Sequence, residues 1–303
     1  MTRRVALATA AEFPDLDEDG AVLVSALGDR GVAAEPLVWT DDSADPASYD
    51  LVVVRCTWDY HVHHDAFLAW ADRVASVTQL ANPAGVVRWN TDKTYLRELA
   101  DLGVPVVETA WFDPGDDVVL PEAGEYVVKP AVSAGSKDTN RYVAGVHDEV
   151  ARDHVADLLG RGKTVMLQPY LHQVDTFGET ALLHFAGQYS HAIRKGPLLE
   201  VGMPLVEGAY KEETVEPREP GGAEHAVATA VLAAMPHTSA RTAGDDLLYA
   251  RVDVVPDASG APVLLELELT EPSMFLVHDG DGGALAAGRF ADAIVASLDR
   301  AGR

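Results

Sequence analysis

The stretch Leu264-Leu265-Glu266-Leu267-Glu268-Leu269-Thr270-Glu271-Pro272-Ser273 restricts the fold of this 303-residue chain more than any other. Its apolar run is that of a strand in a covered sheet, yet carboxylates stand at Glu266 and Glu268. Residues two apart on a strand share a face, so both acids point the same way. Two like charges at a core position are costly unless a cation neutralises them. Upstream, residues 249–255 repeat the pattern, with Arg251 and Asp253 on one face of another apolar strand. A β-hairpin would set Asp253 beside Glu266 and Glu268, giving three hard oxygen ligands of the kind that Mg²⁺ takes along with waters and phosphates. The competing reading is an edge strand with solvated acids. It fits less well, because both strands read as buried on two faces.

The chain is long enough for about two domains and a full core. No apolar run approaches the roughly 20 residues that cross a bilayer, and residues 1–8 lack a signal-peptide pattern. Cys56 is the one cysteine, so no intramolecular disulfide forms. A soluble, cytoplasmic protein is expected. The formal net charge is −25, from 48 acidic and 23 basic residues. Such a surface repels phosphate backbones, which speaks against nucleic acid as a partner. Lysines and arginines in apolar or small-residue settings therefore become informative.

Residues 5–9, 35–39 and 51–54 read as strands and 20–30 as a helix, which predicts a small parallel α/β layer at the N-terminus. Ligands approach such a layer at the carboxyl ends of its strands. That makes Arg55, Cys56, Thr57, Trp58, Asp59 and Tyr60 a candidate binding loop. Cys56 reads as a small buried thiol rather than a nucleophile. His61, His63, His64 and Asp65 read as a surface turn entering a helix (65–77) rather than a metal site.

A helix over 94–102 is predicted, with Asn90 or Thr91 as N-cap and Lys93 in its first turn, where a lysine opposes the helix dipole. Strands follow at 106–112 and 126–130, the second ending in Lys129. The small residues of 131–138 then form a loop whose N–H groups can wrap phosphate. Neither a P-loop nor a G-x-G-x-x-G pattern is present. A helix over 148–159 and a strand over 164–171 come next. Strands at 176–185 and 188–193 form a hairpin through Ala186-Gly187, and Arg194-Lys195 follows it. Residues 196–222, rich in Pro, Gly and Glu, read as a long functional loop. Helices close the pattern at 223–235 and 283–298.

The order is a lysine at a helix start, a lysine ending a strand, a small-residue loop, Gln168-x-Tyr170-Leu171, then Asp253 with Glu266 and Glu268. It resembles the ATP-grasp superfamily, in its glutathione-synthetase-like branch, over roughly residues 85–295. The segments at 55–60, 87–93, 190–199 and 265–268 are most similar to ligases that close D-cycloserine from O-ureido-D-serine. The resemblance implies an α/β chain, α+β in its C-terminal part. An N-terminal parallel domain (1–88) would precede two ATP-clamping subdomains (89–170 and 171–303). It implies ATP held by Lys93 and Lys129, a lid with Ser133, Gly135 and Ser136, an adenine hinge at Gln168, Tyr170 and Leu171, and Asp175 or, in competition, Glu179 at the ribose. Asp253, Glu266 and Glu268 would bind two Mg²⁺, with Mn²⁺ able to substitute. Glu268 departs from the asparagine usual in the wider family, and 198–210 replaces a Gly-Asp-Phe-Arg-Val segment of many relatives. Arg251, Arg194 and Lys129 would serve catalysis. Arg55, Trp58, Asp59, Tyr60, Arg194, Lys195, Glu271 and Ser273 would meet a small amino-acid-like substrate.

The implied activity is phosphorylation of a carboxylate to an acyl phosphate that a nitrogen attacks, within one molecule or between two. This chemistry needs cations at the developing charge and no protein nucleophile. A non-catalytic nucleotide-binding protein is the reading from a different class. The metal-bearing trio argues against it. A homodimer is common among similar enzymes.

Overall fold

Alternate residues of the first apolar strands are buried on opposite faces, so each face needs a cover. In the computed structural model, which describes residues 2–199, 201, 214–235 and 247–301, β1 (Arg3–Thr9), β2 (Val32–Val38), β3 (Leu51–Cys56) and β4 (Gln79–Ala81) form a parallel sheet in the order β2-β1-β3-β4. Val5, Leu7, Leu51 and Val53 pack with α1 (Gly20–Gly28) on one face. Ala6, Ala8, Val52 and Val54 pack with α2 (His64–Val77) on the other. β2 and β3 flank β1 on opposite sides, so the loops after β1 and β3 part at their carboxyl ends and leave a crevice.

α3 (Ala84–Asn90) and α4 (Tyr95–Asp101) lead to an antiparallel sheet of β5 (Ala110–Phe112), β6 (Glu125–Pro130), β7 (Asn140–Val143) and β8 (Val165–Pro169), in the order β5-β8-β6-β7. α5 (Asp148–Gly160) lays Ala151, Val155 and Leu158 against Tyr126, Val128 and Tyr142 of that sheet. After α6 (Val174–Phe177) a third sheet joins β9 (Glu179–Phe185), β10 (Gln188–Lys195), β11 (Val215–Pro217), β12 (Tyr249–Pro256) and β13 (Pro262–Glu268), in the order β11-β10-β9-β12-β13. α7 (Gly222–Ala234) covers one face through Val227, Ala228 and Val231. α8 (Ala284–Ala301) sits between the first and third sheets, with Phe290 stacked on Phe185 at 4.5 Å.

Four local expectations change. Asn90 and Thr91 are not an N-cap, because they end α3; Asp92 accepts from the Thr94 N–H instead, and Lys93 precedes α4 rather than lying in it. Only 110–112 of the 106–112 run pairs as a strand in the second sheet, since Val106 bridges Leu264. Residues 174–177 form a helical turn, so the strand expected from 176 starts at Glu179. Within 196–222, β11 pairs with β10. Residues 200 and 202–213, with most of the family-divergent 198–210 segment, lie outside the described residues. The Ala186-Gly187 turn is as expected, with φ of 48° and 76° in the mirror-turn region that suits a two-residue hairpin. Among the described residues no helix is long and apolar enough to cross a membrane.

Candidate active site

β12 and β13 pair antiparallel with Asp253 opposite Glu266 and Arg251 opposite Glu268. The register shifts beside Asp253, leaving Leu265 as an extra residue. Such a bulge re-aims neighbouring side chains. Leu265, Glu266 and Glu268 all line one cavity of about 810 Å³, the size of a small-ligand site. The cavity is walled by the second and third sheets and by the loops that follow β1 and β3 of the first.

The acids are met by cations rather than by one another. Arg251 donates Nε and Nη2 to the two oxygens of Asp253, each at 2.9 Å, and also binds Glu268. Lys195 Nζ is 2.8 Å from both Asp253 and Glu179. Lys93 Nζ is 3.1 Å from Glu266 and donates to the Ser133 carbonyl at 2.8 Å. Burial works to raise the Asp253 carboxyl, but Arg251 and Lys195 hold it below its ordinary value. Burial acts likewise on Glu266, and Lys93 and Lys129 overcome it. Glu268 ends on the other side. Burial, with Glu266 and Asp253 adding and Arg251 opposing, pushes it up to about 7.

Lys129, next to last in β6, lines the same cavity, is 8% exposed and makes no side-chain hydrogen bond or ion pair with a described residue. Burial lowers its pKa. A buried ammonium facing an open cavity without a partner is a poor arrangement for stability and a good one for an anion. The small-residue loop follows Lys129. Ser133, Ala134, Gly135, Ser136, Lys137 and Asp138 border the cavity, with positive φ at Gly135, Ser136 and Asp138.

At one end the wall is Val107, Val127, Gln168, Pro169, Tyr170, Leu171 and Val174. The Gln168 amide donates to Thr109 Oγ1 at 2.9 Å. Glu179 lines the cavity, whereas Asp175 is bound to the Tyr170 hydroxyl and lies 3.6 Å from Arg141. The competing choice for the ribose is thus the one on the wall. At the other end stand Trp58, Asp59, Arg251, Glu271, Ser273 and Phe275.

Three residues expected to meet substrate do not line the cavity. Arg55, 2% exposed, points between β3 and the loop after β1, 3.4 Å from Asp17 and 3.9 Å from Asp19, and donates to the Pro272 carbonyl. Tyr60 is buried beneath the 131–138 loop, its hydroxyl 3.4 Å from the Ser133 carbonyl. Arg194 and Lys195 are adjacent in β10 and so face opposite ways. Lys195 enters the cavity, while Arg194 binds the Thr176 and Phe177 carbonyls and Glu216 outside it. Asp253 lies behind the wall, reached through Arg251 and Lys195.

Sequence reasoning missed Glu12, Phe13, Glu18 and His278, which line the cavity with Trp58 and Glu271. Phe13 meets Trp58 edge-on at 4.8 Å, and His278 lies 3.1 Å from Glu18. The signal was the position of the acidic loop directly after β1, at the crevice. The loop after β13 is fastened carbonyl by carbonyl. The Tyr249 hydroxyl donates to Thr270, Trp58 Nε1 to Glu271, Arg55 to Pro272, Arg251 to Ser273, and His191 binds Met274. Asn90 clasps the strand before it, donating to the Leu267 carbonyl and accepting from the Leu269 N–H. His61, His63, His64 and Asp65 border a separate polar cavity of about 580 Å³. Cys56 is buried, its thiol pushed up to about 12 by burial, which suits a core thiol. Among the described residues no three His, Cys, Asp or Glu converge closely enough to hold a metal ion by themselves.

A family model described as the N-terminal domain of D-cycloserine synthetase DcsG matches residues 5–82. The cycloserine biosynthesis protein DcsG of Streptomyces lavendulae is 41% identical over 97% of this chain and 98% of its own length. The crystal structure of D-cycloserine synthetase DcsG superposes with a TM-score of 0.86 at 40% identity, covering 97% of this chain and 99% of that one. The D-alanine–D-alanine ligase of Bacillus anthracis, complexed with ATP, superposes with a TM-score of 0.64 at 15% identity over 98% of both chains, a likeness of fold.

Proposed function

Because the chain belongs to the D-cycloserine synthetase family of ATP-grasp ligases, we propose that it phosphorylates the carboxylate of a small amino acid and closes a ring on it, with O-ureido-D-serine as substrate and D-cycloserine as product. It is an ATP-dependent ligase. The observation that carries the reading is Lys129, a buried ammonium with no side-chain partner among the described residues, set across one cavity from Glu266 and Glu268. A buried ammonium and two acids lining one cavity suit a metal-bearing triphosphate.

In this reading the adenine lies between Val127, Tyr170 and Leu171, the ribose reaches Glu179, and the phosphates meet Lys93, Lys129 and the 133–138 loop. The carboxylates fit Mg²⁺ as hard donors: burial first, and then the neighbouring acids, raise Glu268, and a cation relieves both. Glu266 and Glu268 would hold it, with Asp253, bound to Arg251 and Lys195 behind them, as the third acid. Two ions, and Mn²⁺ in their place, fit the same donors. When bound, Mg²⁺ neutralises charge on the transferring phosphoryl group.

The chain's own groups do the rest. Arg251 and Lys195 orient the substrate carboxylate, whose oxygen attacks the γ-phosphorus as ADP leaves. Lys129 and Lys93 stabilise the phosphoryl oxygens, and the lid keeps water from the acyl phosphate. The ureido nitrogen bonded to oxygen then attacks the acyl carbon, loses its proton, and inorganic phosphate departs; water cleaves the carbamoyl group left on that nitrogen, releasing carbon dioxide and ammonia to give D-cycloserine. Residues 1–88, 89–170 and 171–303 form the three functional units of this scheme, in the cytoplasm, as a monomer or homodimer and without nucleic acid. Phosphate release with ATP, Mg²⁺ and a panel of amino-acid carboxylates tests it. Release should depend on the carboxylate and be greatest with O-ureido-D-serine; release equal with and without any carboxylate would remove the ligase reading.

A further inference from the structure

Glu271 is the exception among the acids at the heart of the cavity. Glu266 has Lys93, Glu268 has Arg251, and Glu179 has Lys195. Glu271 is 9% exposed, borders the cavity, and its carboxylate makes no hydrogen bond or ion pair with any described residue. Burying a carboxylate without a partner is costly, and burial together with Glu268 pushes this one up to about 8. Nor is the side chain there by looseness. The carbonyls of residues 270–274 are each engaged by a different side chain, from β3 and its following loop, β10 and β12. Four regions of the fold cooperate to hold a lone acid in place.

Its surroundings select the ligand. Trp58, whose indole N–H holds the Glu271 carbonyl, stands on the same wall with Phe13 against it. Arg251, whose guanidinium lies 5.4 Å over the Phe275 ring, binds the next carbonyl but one. A buried acid without a partner beside aromatic faces is matched by a small organic cation, whose charge favours its ionised form, and Arg251 next to it attracts a carboxylate. The two charges of an α-amino acid would be met in one short stretch. Glu12 and Glu18 also border this end, but Glu12 is exposed and Glu18 already faces His278.

We propose that Glu271 is the specificity-determining residue that binds the α-ammonium of the amino-acid substrate. The proposal rests on the ligase reading above and names the substrate class of that site: an α-amino acid with its amine free and protonated. The loop that carries Glu271 is built to receive this charge. Its five anchored carbonyls fix where the carboxylate stands before substrate arrives, so little ordering remains to be done on binding.

Calorimetry on the full chain with an ATP analogue and Mg²⁺ tests it, using O-ureido-D-serine and its counterpart lacking the amine, 3-(ureidooxy)propanoate. For O-ureido-D-serine, Glu271→Gln should weaken binding about 30-fold, as expected for a charged hydrogen bond. For the amine-free ligand, wild type and variant should agree. Turnover should show the loss in KM, with kcat changed far less, and the affinity for the analogue and the Mg²⁺ requirement should stay as in wild type. An equal loss for both ligands, a loss confined to kcat, or a raised Mg²⁺ requirement would each overturn the assignment, the last by making Glu271 a metal ligand. The functional reading fails separately: wild type that binds O-ureido-D-serine yet forms no ADP with it contradicts that reading and leaves the ammonium assignment standing on the calorimetry.

Discussion

At the residue scale, the side chains that matter most are those whose charge lacks a local reason. Adjacent Arg194 and Lys195 look equivalent in the sequence, and the strand separates them. Lys195→Met should lower kcat about 10²–10³-fold, the cost of losing one preorganised donor at developing charge. Arg194→Met should change it less than roughly fivefold, since a half-exposed pair contributes little. Steady-state kinetics with a verified substrate checks both, and equal losses would undo the assignment. Arg55 was expected to meet substrate because it ends an apolar strand, but buried acids on the loop after β1 claim it. The sequence shows Asp17 and Asp19 forty residues away with nothing to say they fold back onto it. There, two acids share one guanidinium. Burial, then Asp17, pushes Asp19 up to about 6, against Arg55. The folded state therefore holds the proton more tightly than the unfolded chain. Its contribution is full below about pH 4 and lost as pH rises to about 6, worth about 3 kcal/mol. Asp19→Asn keeps an oxygen for the Val277 N–H and should remove that slope. Urea titrations at about pH 4 and pH 7 read it directly; an unchanged difference between the two would refute it.

At the element scale, the β12–β13 pair was legible because its two acids and its Arg-x-Asp interrupt apolar strands, and strand periodicity alone sets which side they face. The bulge at Leu265 was not legible, since one extra residue in a run of leucines leaves no compositional trace. α3 was missed for a related reason. Asn90 looks like a cap, and only the fold shows it clasping β13 from the end of a helix. The 131–138 loop was legible from small residues after a strand ending in lysine. As a lid it should gain amide protection when nucleotide arrives. Hydrogen exchange of residues 133–138 with and without an ATP analogue and Mg²⁺ should slow at least about tenfold, as a segment drawn from the low-stability end orders. Exchange unaltered by the analogue would mean that the loop is no lid.

At the scale of the whole molecule, two antiparallel sheets and the loops at the carboxyl ends of the parallel one each present a wall, and the candidate groups meet only in the space between them. Composition made that space interpretable: in a chain of net charge −25, cations turned inward have a purpose other than solubility. Length and strand order exposed the parallel layer and the later antiparallel sheets. The way the loop after β1 reaches across to Val277 and His278 depends on packing that no local pattern encodes. The central claim, that the substrate's carboxylate takes the phosphoryl group before nitrogen attacks it, has one direct test. A single turnover with ATP, Mg²⁺ and O-ureido-D-serine labelled with ¹⁸O in its carboxylate should yield inorganic phosphate carrying one heavy oxygen, because the carboxylate oxygen bonded to phosphorus leaves with it. Phosphate without label, formed alongside product, would contradict the account.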